Sequence, residues 1–148
     1  MNKRMIVAAL ALAGIFLAVY LLLYKLGMIG ELSCSVGSCE KVNTSKWATF
    51  LGLPVAAWGV GWYIVMFVLA VVSTWETYAE SPAVSMLLLG VAGTGLIFST
   101  YLTYLELFVI HAICQWCVVS AILVVIIFGF CIADYRDSNR GSELQIET

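Results

Sequence analysis

The five cysteines are the residues whose chemistry and spacing are most informative: Cys34, Cys39, Cys114, Cys117 and Cys131. Cys114 and Cys117 form a C-x-x-C motif, and their i, i+3 spacing places both sulfurs on one face of a helix. If that helix begins at the motif, its unpaired amides and positive potential favour the thiolate. Because the thiolate is the species that attacks disulfides, the motif predicts a pair able to exchange them.

The same spacing separates the two sulfurs in depth. Cys117 would lie about 4.5 Å further along the helix than Cys114. Cys114 can then meet a thiol from the water side, while Cys117 faces the lipid boundary. Cys34 and Cys39 form a second pair, on a loop where Gly37 and two serines allow a tight turn. Together the pairs suit a relay of electrons from an aqueous dithiol to a lipid-soluble oxidant.

Two other interpretations of the cysteines remain open. The pairs can be two structural disulfides in a non-catalytic four-span membrane protein. Their spacings would also fit a four-thiolate zinc site, although Trp116 between two ligands at a lipid interface disfavours one, and we expect no metal. Cys131 would lie about 25 Å from Cys114 by helical rise. It is therefore expected to be a small buried apolar side chain outside either pair.

The elements that carry the cysteines follow from the composition. Of 148 residues, 63% are hydrophobic and 11% are charged, and the mean hydropathy is +1.03. This composition, with a net charge of −2, excludes a soluble domain, a disordered chain and a nucleic-acid partner. Long uncharged runs predict spans at about 5–25, 54–75, 82–106 and 113–133. The expected fold is an all-α integral membrane protein, a bundle of four transmembrane helices in the lipid bilayer.

The loops and termini complete the predicted topology. One span precedes the first cysteine pair and three precede the second, so both pairs should lie on one side of the membrane. We expect a single membrane domain over 1–133 with an outer redox loop at about 26–53, and a polar, mobile cytoplasmic tail over 134–148. The amphipathic stretch 44–51 predicts a short helix in the membrane interface. The distribution of Lys and Arg, four against three, favours both termini in the cytoplasm of an inner or plasma membrane.

The order of spans and cysteines forms a pattern more specific than any single motif. The chain shows one span, a cysteine pair, Ser45-Lys46-Trp47, and three more spans, with Leu105-Glu106 and Ala112–Cys117 leading into the last. This order resembles the vitamin K epoxide reductase family, particularly its bacterial and archaeal members, over roughly residues 5–133. The resemblance implies a bundle around a quinone, such as menaquinone or ubiquinone, and a thiol–disulfide oxidoreductase that generates disulfides outside the cytoplasm.

The resemblance also implies a role for each of four cysteines. Cys34 corresponds to the cysteine that reacts with a thioredoxin-like partner, and Cys39 to the one that bonds transiently to Cys114. Cys117 corresponds to the cysteine that exchanges electrons with the quinone, and Cys114 to its partner, which accepts electrons from the loop. Some bacterial members carry a fused thioredoxin domain. Here about fifteen residues follow the last span, so we expect a separate thioredoxin-like (DsbA-like) protein on the outer side.

Further residues are candidates for the quinone site. Ser45 matches the family's hydroxyl position near the quinone, and Trp47 matches the tryptophan that follows it. Thr103 would line the pocket or make an interhelical packing contact. Glu106 and His111 are ionisable at membrane depth, which marks functional candidates. His111 would either stabilise the nearby thiolate or shuttle a proton, or else lie in water at the interface.

Overall fold

Helices make up most of the computed structural model, which describes residues 3–28, 46, 49–79 and 81–147. Within those residues, four helices have the length and hydropathy of membrane spans. The all-α, four-span architecture predicted from the sequence is therefore confirmed. The helices are α1 (Lys3–Lys25), α2 (Val55–Val72), α3 (Pro82–Tyr104), which continues as a π-helix (Leu105–Ile110), and α4 (Gln115–Glu147).

Small side chains allow the helices to approach one another closely. The buried face of α1 includes Ala11, Gly14 and Ala18, and α1 packs mainly against α2 and α4, while α3 packs mainly against α4. Met66 of α2 and Ile127 of α4 are fully buried in the shared core. In membranes, close packing of this kind replaces the hydrophobic effect as the force between helices.

At one end of the bundle a buried arginine, Arg4, connects the helices, and we call this end the Arg4 end. Arg4 is 2% exposed, and its Nε donates to both carboxylate oxygens of Asp134 at 3.1 Å. Its Nη1 donates to the carbonyl of Ser73 at 2.7 Å, and its Nη2 donates to the hydroxyl of Ser85 at 2.7 Å. One guanidinium thus connects α1, the end of α2, α3 and α4. The opposite end, where α4 begins, is the Cys114 end.

The segment that follows the fourth span is helical. We predicted a mobile tail over 134–148, but α4 continues to Glu147. Ion pairs join the first turn of this helical segment to α1, and the mobility of the remainder stays a prediction. Asp134 pairs with Arg4, and Asp137 pairs with Lys3.

A β-hairpin precedes α2 at the Cys114 end. Thr49–Phe50 pairs antiparallel with Leu53–Pro54, and Leu51 and Gly52 connect them with φ angles of 53° and 81°. Two residues with positive φ make a type I′ turn, and glycine favours that conformation. The interfacial helix predicted over 44–51 is therefore wrong for its last residues. Apart from Lys46, its earlier part lies outside the described residues.

Candidate active site

A π-helix shapes the turn that carries the C-x-x-C motif. Leu105–Ile110 forms the wider π-helical coil, a feature that often lies at functional sites. The coil ends at His111, whose φ of 57° is left-handed. The N–H of Ala112 donates back to the carbonyl of Glu106 at 3.0 Å. This bond closes the turn and brings Cys114 to the start of α4.

Cys114 occupies the capping position of α4. Its carbonyl accepts the first helical hydrogen bond, from the N–H of Val118 at 3.0 Å. Its sulfur accepts a hydrogen bond from the backbone N–H of Cys117 at 3.4 Å. A thiol therefore takes the place of the oxygen that usually caps a helix. The prediction that the motif opens the last helix is confirmed.

Hydrogen bonds to its sulfur make the Cys114 thiol more acidic. The pKa of the Cys114 thiol is lowered first by a hydrogen bond with the side chain of Cys117, and further by the backbone N–H groups of Cys117 and Trp116. Burial and the negative charge of Glu106 oppose the shift. A larger share of Cys114 is therefore thiolate at neutral pH than of an ordinary cysteine.

The surroundings of Cys114 differ from the expectation that its sulfur faces water. Cys114 is 0% exposed. The turn leading out of the π-helix packs over it, with Ala112 buried beside it and Ile110 and Trp116 partly buried around it. The position of Cys114 along the helix does not predict that it is buried, because its burial depends on the π-helix and on the left-handed residue that ends it.

Cys117 lines a cavity of about 410 Å³ inside the bundle. Cys117, and not Cys114, is among the described residues that form its wall. The hairpin, the π-helix and all four long helices contribute to the wall, which is mostly apolar. Its aromatic members are Phe50, Trp58, Trp62, Tyr63 and Phe98. An apolar space with a few polar groups is typical of sites for small molecules, and this one suits a planar, lipid-soluble ring.

Two glycines make room for two of these aromatic rings. A Cβ atom added at Gly95 would overlap the ring of Trp62, and one added at Gly14 would overlap the ring of Tyr63. The indole N–H of Trp62 donates to a carbonyl of α3 at 3.0 Å, and the Tyr63 hydroxyl pairs with the Ser120 hydroxyl at 2.8 Å. Close helix contacts therefore fix the shape of the cavity wall.

Glu106 is the ionisable residue that reaches both cysteines of the motif. It is 6% exposed, and its Oε2 accepts a hydrogen bond from the N–H of Cys114 at 3.4 Å. A side-chain hydrogen bond joins its carboxyl to Cys117, and it lines the cavity. His111 is exposed. The interpretation of His111 as an interfacial side chain in water therefore fits the structure, and the ionisable group beside the thiols is the carboxyl of Glu106.

The structure describes one further predicted site residue, Thr103, and also Cys131, which was predicted to lie outside the site. Thr103 lines the cavity, and its hydroxyl donates to the carbonyl of Ser99 at 2.9 Å. Cys131 is buried in the shared core, in agreement with its prediction as an apolar side chain. Four predicted residues lie outside the described part of the chain: Cys34, Cys39, Ser45 and Trp47.

Sequence analysis missed the aromatic wall of the cavity. Trp58, Trp62 and Tyr63 are common residues in packed membrane helices, so their types alone carried no functional signal. The available clue was the pairing of Gly14 and Gly95 with large rings on a neighbouring helix, and this pairing requires the helix contacts to be known.

The fold and the site together define a four-span membrane protein in which a helix-capping dithiol adjoins an apolar cavity. The chain matches the family model described as the vitamin K epoxide reductase family over residues 5–132, and it belongs to that family. Its members use quinones and generally work with thioredoxin-like proteins. The chain is accordingly a multi-pass membrane thiol–disulfide oxidoreductase.

Proposed function

We propose that this protein oxidises the dithiol of a separate thioredoxin-like protein and reduces a quinone. The net reaction converts partner dithiol and quinone into partner disulfide and quinol, with transfer of two electrons and two protons. The observation that carries the proposal is the asymmetry of the motif. Cys114 is the acidic, helix-capping thiol, and Cys117 lines the apolar cavity.

In the proposed relay, electrons pass from the partner to Cys34 and Cys39, then to Cys114 and Cys117. The resemblance assigns Cys39 to a transient disulfide with Cys114. The lowered pKa of Cys114 supports this step, because a thiol of lower pKa is a faster leaving group in disulfide exchange. Its position before α4 supports it too, since the helix N-terminus stabilises the departing thiolate.

The cavity residues fit a quinone. When bound, a quinone supplies the electron-accepting chemistry that the protein itself lacks. The aromatic side chains of the wall, Trp58 and Phe98 among them, would hold the quinone in the cavity that Cys117 also lines. Thr103 lines the same wall. Ser45 and Trp47 remain assigned to this site by the resemblance.

We further propose that the Cys114 end of the bundle faces the outside of the cell membrane, so that disulfides are generated outside the cytoplasm. The Arg4 end and the last turns of α4 would then lie in the cytoplasm. The slight excess of Lys and Arg on the side of the termini supports this orientation.

The competing hypothesis is a non-catalytic protein stapled by two structural disulfides. A structural disulfide requires neither a helix cap that stabilises a thiolate nor a cavity beside one of its sulfurs, and both features are present. These features favour the oxidoreductase.

The direct test is an anaerobic titration of the purified, quinone-free protein with a reduced thioredoxin-like protein and decyl-ubiquinone or a short-chain menaquinone. Quinol formation, followed by absorbance, should match the dithiol oxidised. Cys117→Ala should abolish it, whereas Cys131→Ala should retain it because Cys131 lies in the core away from the cavity wall. Absence of quinol with both quinones would refute the proposed function.

A further inference from the structure

Glu106 is a buried carboxyl to which the cysteine relay assigns no role. It lies on the π-helix, within a segment that is apolar and long enough to span a membrane. Burial of a carboxylate among apolar helices is unfavourable, and ionisable residues in such segments usually serve a function. The π-helix turns this residue toward the interior, since Leu105 and Glu106 are its buried members.

The contacts of Glu106 connect the reacting thiol with the cavity. Its carboxyl is hydrogen-bonded to the Cys117 side chain, and the N–H of Cys114 fixes one of its oxygens. Glu106 and Cys117 line the same cavity, and among its described lining residues Glu106 is the one carboxyl. The carboxyl is therefore next to the thiol that would lose its proton, and it borders the space in which quinol would form.

We propose that Glu106 is a catalytic acid–base residue that accepts the proton of the Cys117 thiol and releases it on the cavity side. This inference rests on the proposed function. As the Cys114–Cys117 bond forms, the two thiols lose two electrons and two protons. The quinone takes up the two electrons and the two protons and becomes quinol. The first proton leaves the sulfur of Cys117 for Glu106. The proton of Cys114 follows through the hydrogen bond between the two thiol side chains and then by the same carboxyl.

The test compares single-turnover quinol formation by prereduced protein and decyl-ubiquinone. Glu106→Gln keeps the size of the side chain and its ability to accept the Cys114 N–H, but it cannot take up a proton. General acid–base groups contribute about 10²–10⁴-fold, so the rate should fall by at least about 100-fold. Glu106→Asp should recover part of the rate. Glu143→Gln is the matched control, because Glu143 is exposed on α4 far along the helix from the motif.

Quinone affinity provides a readout that does not depend on turnover. Quenching of the tryptophans in the cavity wall by decyl-ubiquinone should give the same Kd for the native protein and Glu106→Gln. A native rate in Glu106→Gln would overturn the inference. So would a loss of affinity that accounts for the slower rate, or a folded Glu106→Asp as slow as Glu106→Gln. If the native protein itself forms no quinol, the proposed function fails and this inference falls with it.

Discussion

The backbone N–H of Cys117 lies 3.4 Å from the sulfur of Cys114, so one cysteine of the motif caps the helix that carries the other. The cap stabilises negative charge on Cys114, while Cys117 lines the cavity. Two residues of the same type, three positions apart, thereby acquire different chemistry. This difference gives the proposed relay its direction, with exchange at Cys114 and electron delivery at Cys117.

The acidity of Cys114 should depend on its neighbours. Because its pKa is lowered, alkylation by iodoacetamide should reach half its maximal rate at a lower pH than for an ordinary cysteine. Cys117→Ala should move this midpoint to higher pH, since the Cys117 hydrogen bond is the largest cause of the shift. Glu106→Gln should move it to lower pH, since the Glu106 charge opposes the thiolate. Mass spectrometry that locates the modified cysteine measures the rates.

The control for this measurement is Cys131→Ala, which should leave the midpoint at Cys114 unchanged. An unchanged or lower midpoint in Cys117→Ala would show that the hydrogen bond between the two thiols does not govern the reactivity of Cys114.

Gly95 should be required for the shape of the cavity. In Gly95→Ala the new methyl group overlaps the Trp62 ring, so the ring must shift. Overpacking of this kind costs about 1–3 kcal/mol of stability, and displacement of the ring should weaken decyl-ubiquinone binding. Thermal unfolding in detergent and tryptophan quenching measure the two effects. Gly90→Ala is the matched control because a Cβ there meets nothing within 4 Å. Equal behaviour of the two variants would contradict the assignment of Gly95 to the wall.

The hydrogen bonds of Arg4 with Asp134, Ser73 and Ser85, which we call the Arg4 cluster, should contribute strongly to stability. Arg4→Gln leaves Asp134 without its cation, and loss of one partner from a buried ion pair costs about 3–5 kcal/mol. Lys3→Gln breaks the neighbouring pair with Asp137, but that pair is exposed and should matter little. Chemical unfolding of both variants in detergent micelles gives the comparison. An Arg4→Gln variant as stable as Lys3→Gln would show that the Arg4 contacts do not stabilise the ends of the four helices.

The sequence was sufficient for the spans and for the placement of Cys114 before the last helix, because hydrophobic length and a local motif determine both. It was not sufficient for the features that depend on contacts between distant residues. One of these features is the continuation of α4 to Glu147, whose first turn pairs with Arg4 and Lys3 of α1. A left-handed pair at Leu51 and Gly52 turns the expected end of an interfacial helix into a hairpin.

The site residues, too, could be predicted from the sequence only in part. His111 and Glu106 were both recognisable as ionisable residues near the motif, but the sequence assigned a definite role to neither. The π-helix distinguishes them, because it directs Glu106 inward to Cys117 and leaves His111 exposed in a left-handed conformation. A change in helix type within one turn cannot be derived from the spacing of apolar residues.

The orientation of the bundle can be tested by labelling. On a cysteine-free background, Met28→Cys at the Cys114 end should react with a membrane-impermeant maleimide added outside intact cells. Arg136→Cys, near the Arg4 end, should react after the membrane is permeabilised. Both parent residues are exposed, so access to the reagent depends on the side of the membrane. Labelling of both from the same side would contradict the four-span topology.

The order of the relay makes a specific prediction for Cys117→Ala. Without Cys117, the Cys114 thiol loses the hydrogen bond that lowers its pKa most and becomes a poorer leaving group. It also loses the neighbouring thiol that could resolve a mixed disulfide. A bond between Cys39 and Cys114 should therefore accumulate under oxidising conditions, with Cys34 left as a thiol. In Cys114→Ala, by contrast, the Cys34–Cys39 disulfide should be closed and Cys117 reduced.

Non-reducing peptide mapping of Cys117→Ala, isolated under oxidising conditions and alkylated before digestion, is the most direct measurement of this account. The relay predicts a peptide pair joined through Cys39 and Cys114, with the alkyl group on Cys34. Recovery of an intact Cys34–Cys39 disulfide, with the alkyl group on Cys114, would contradict the relay and support two independent structural disulfides.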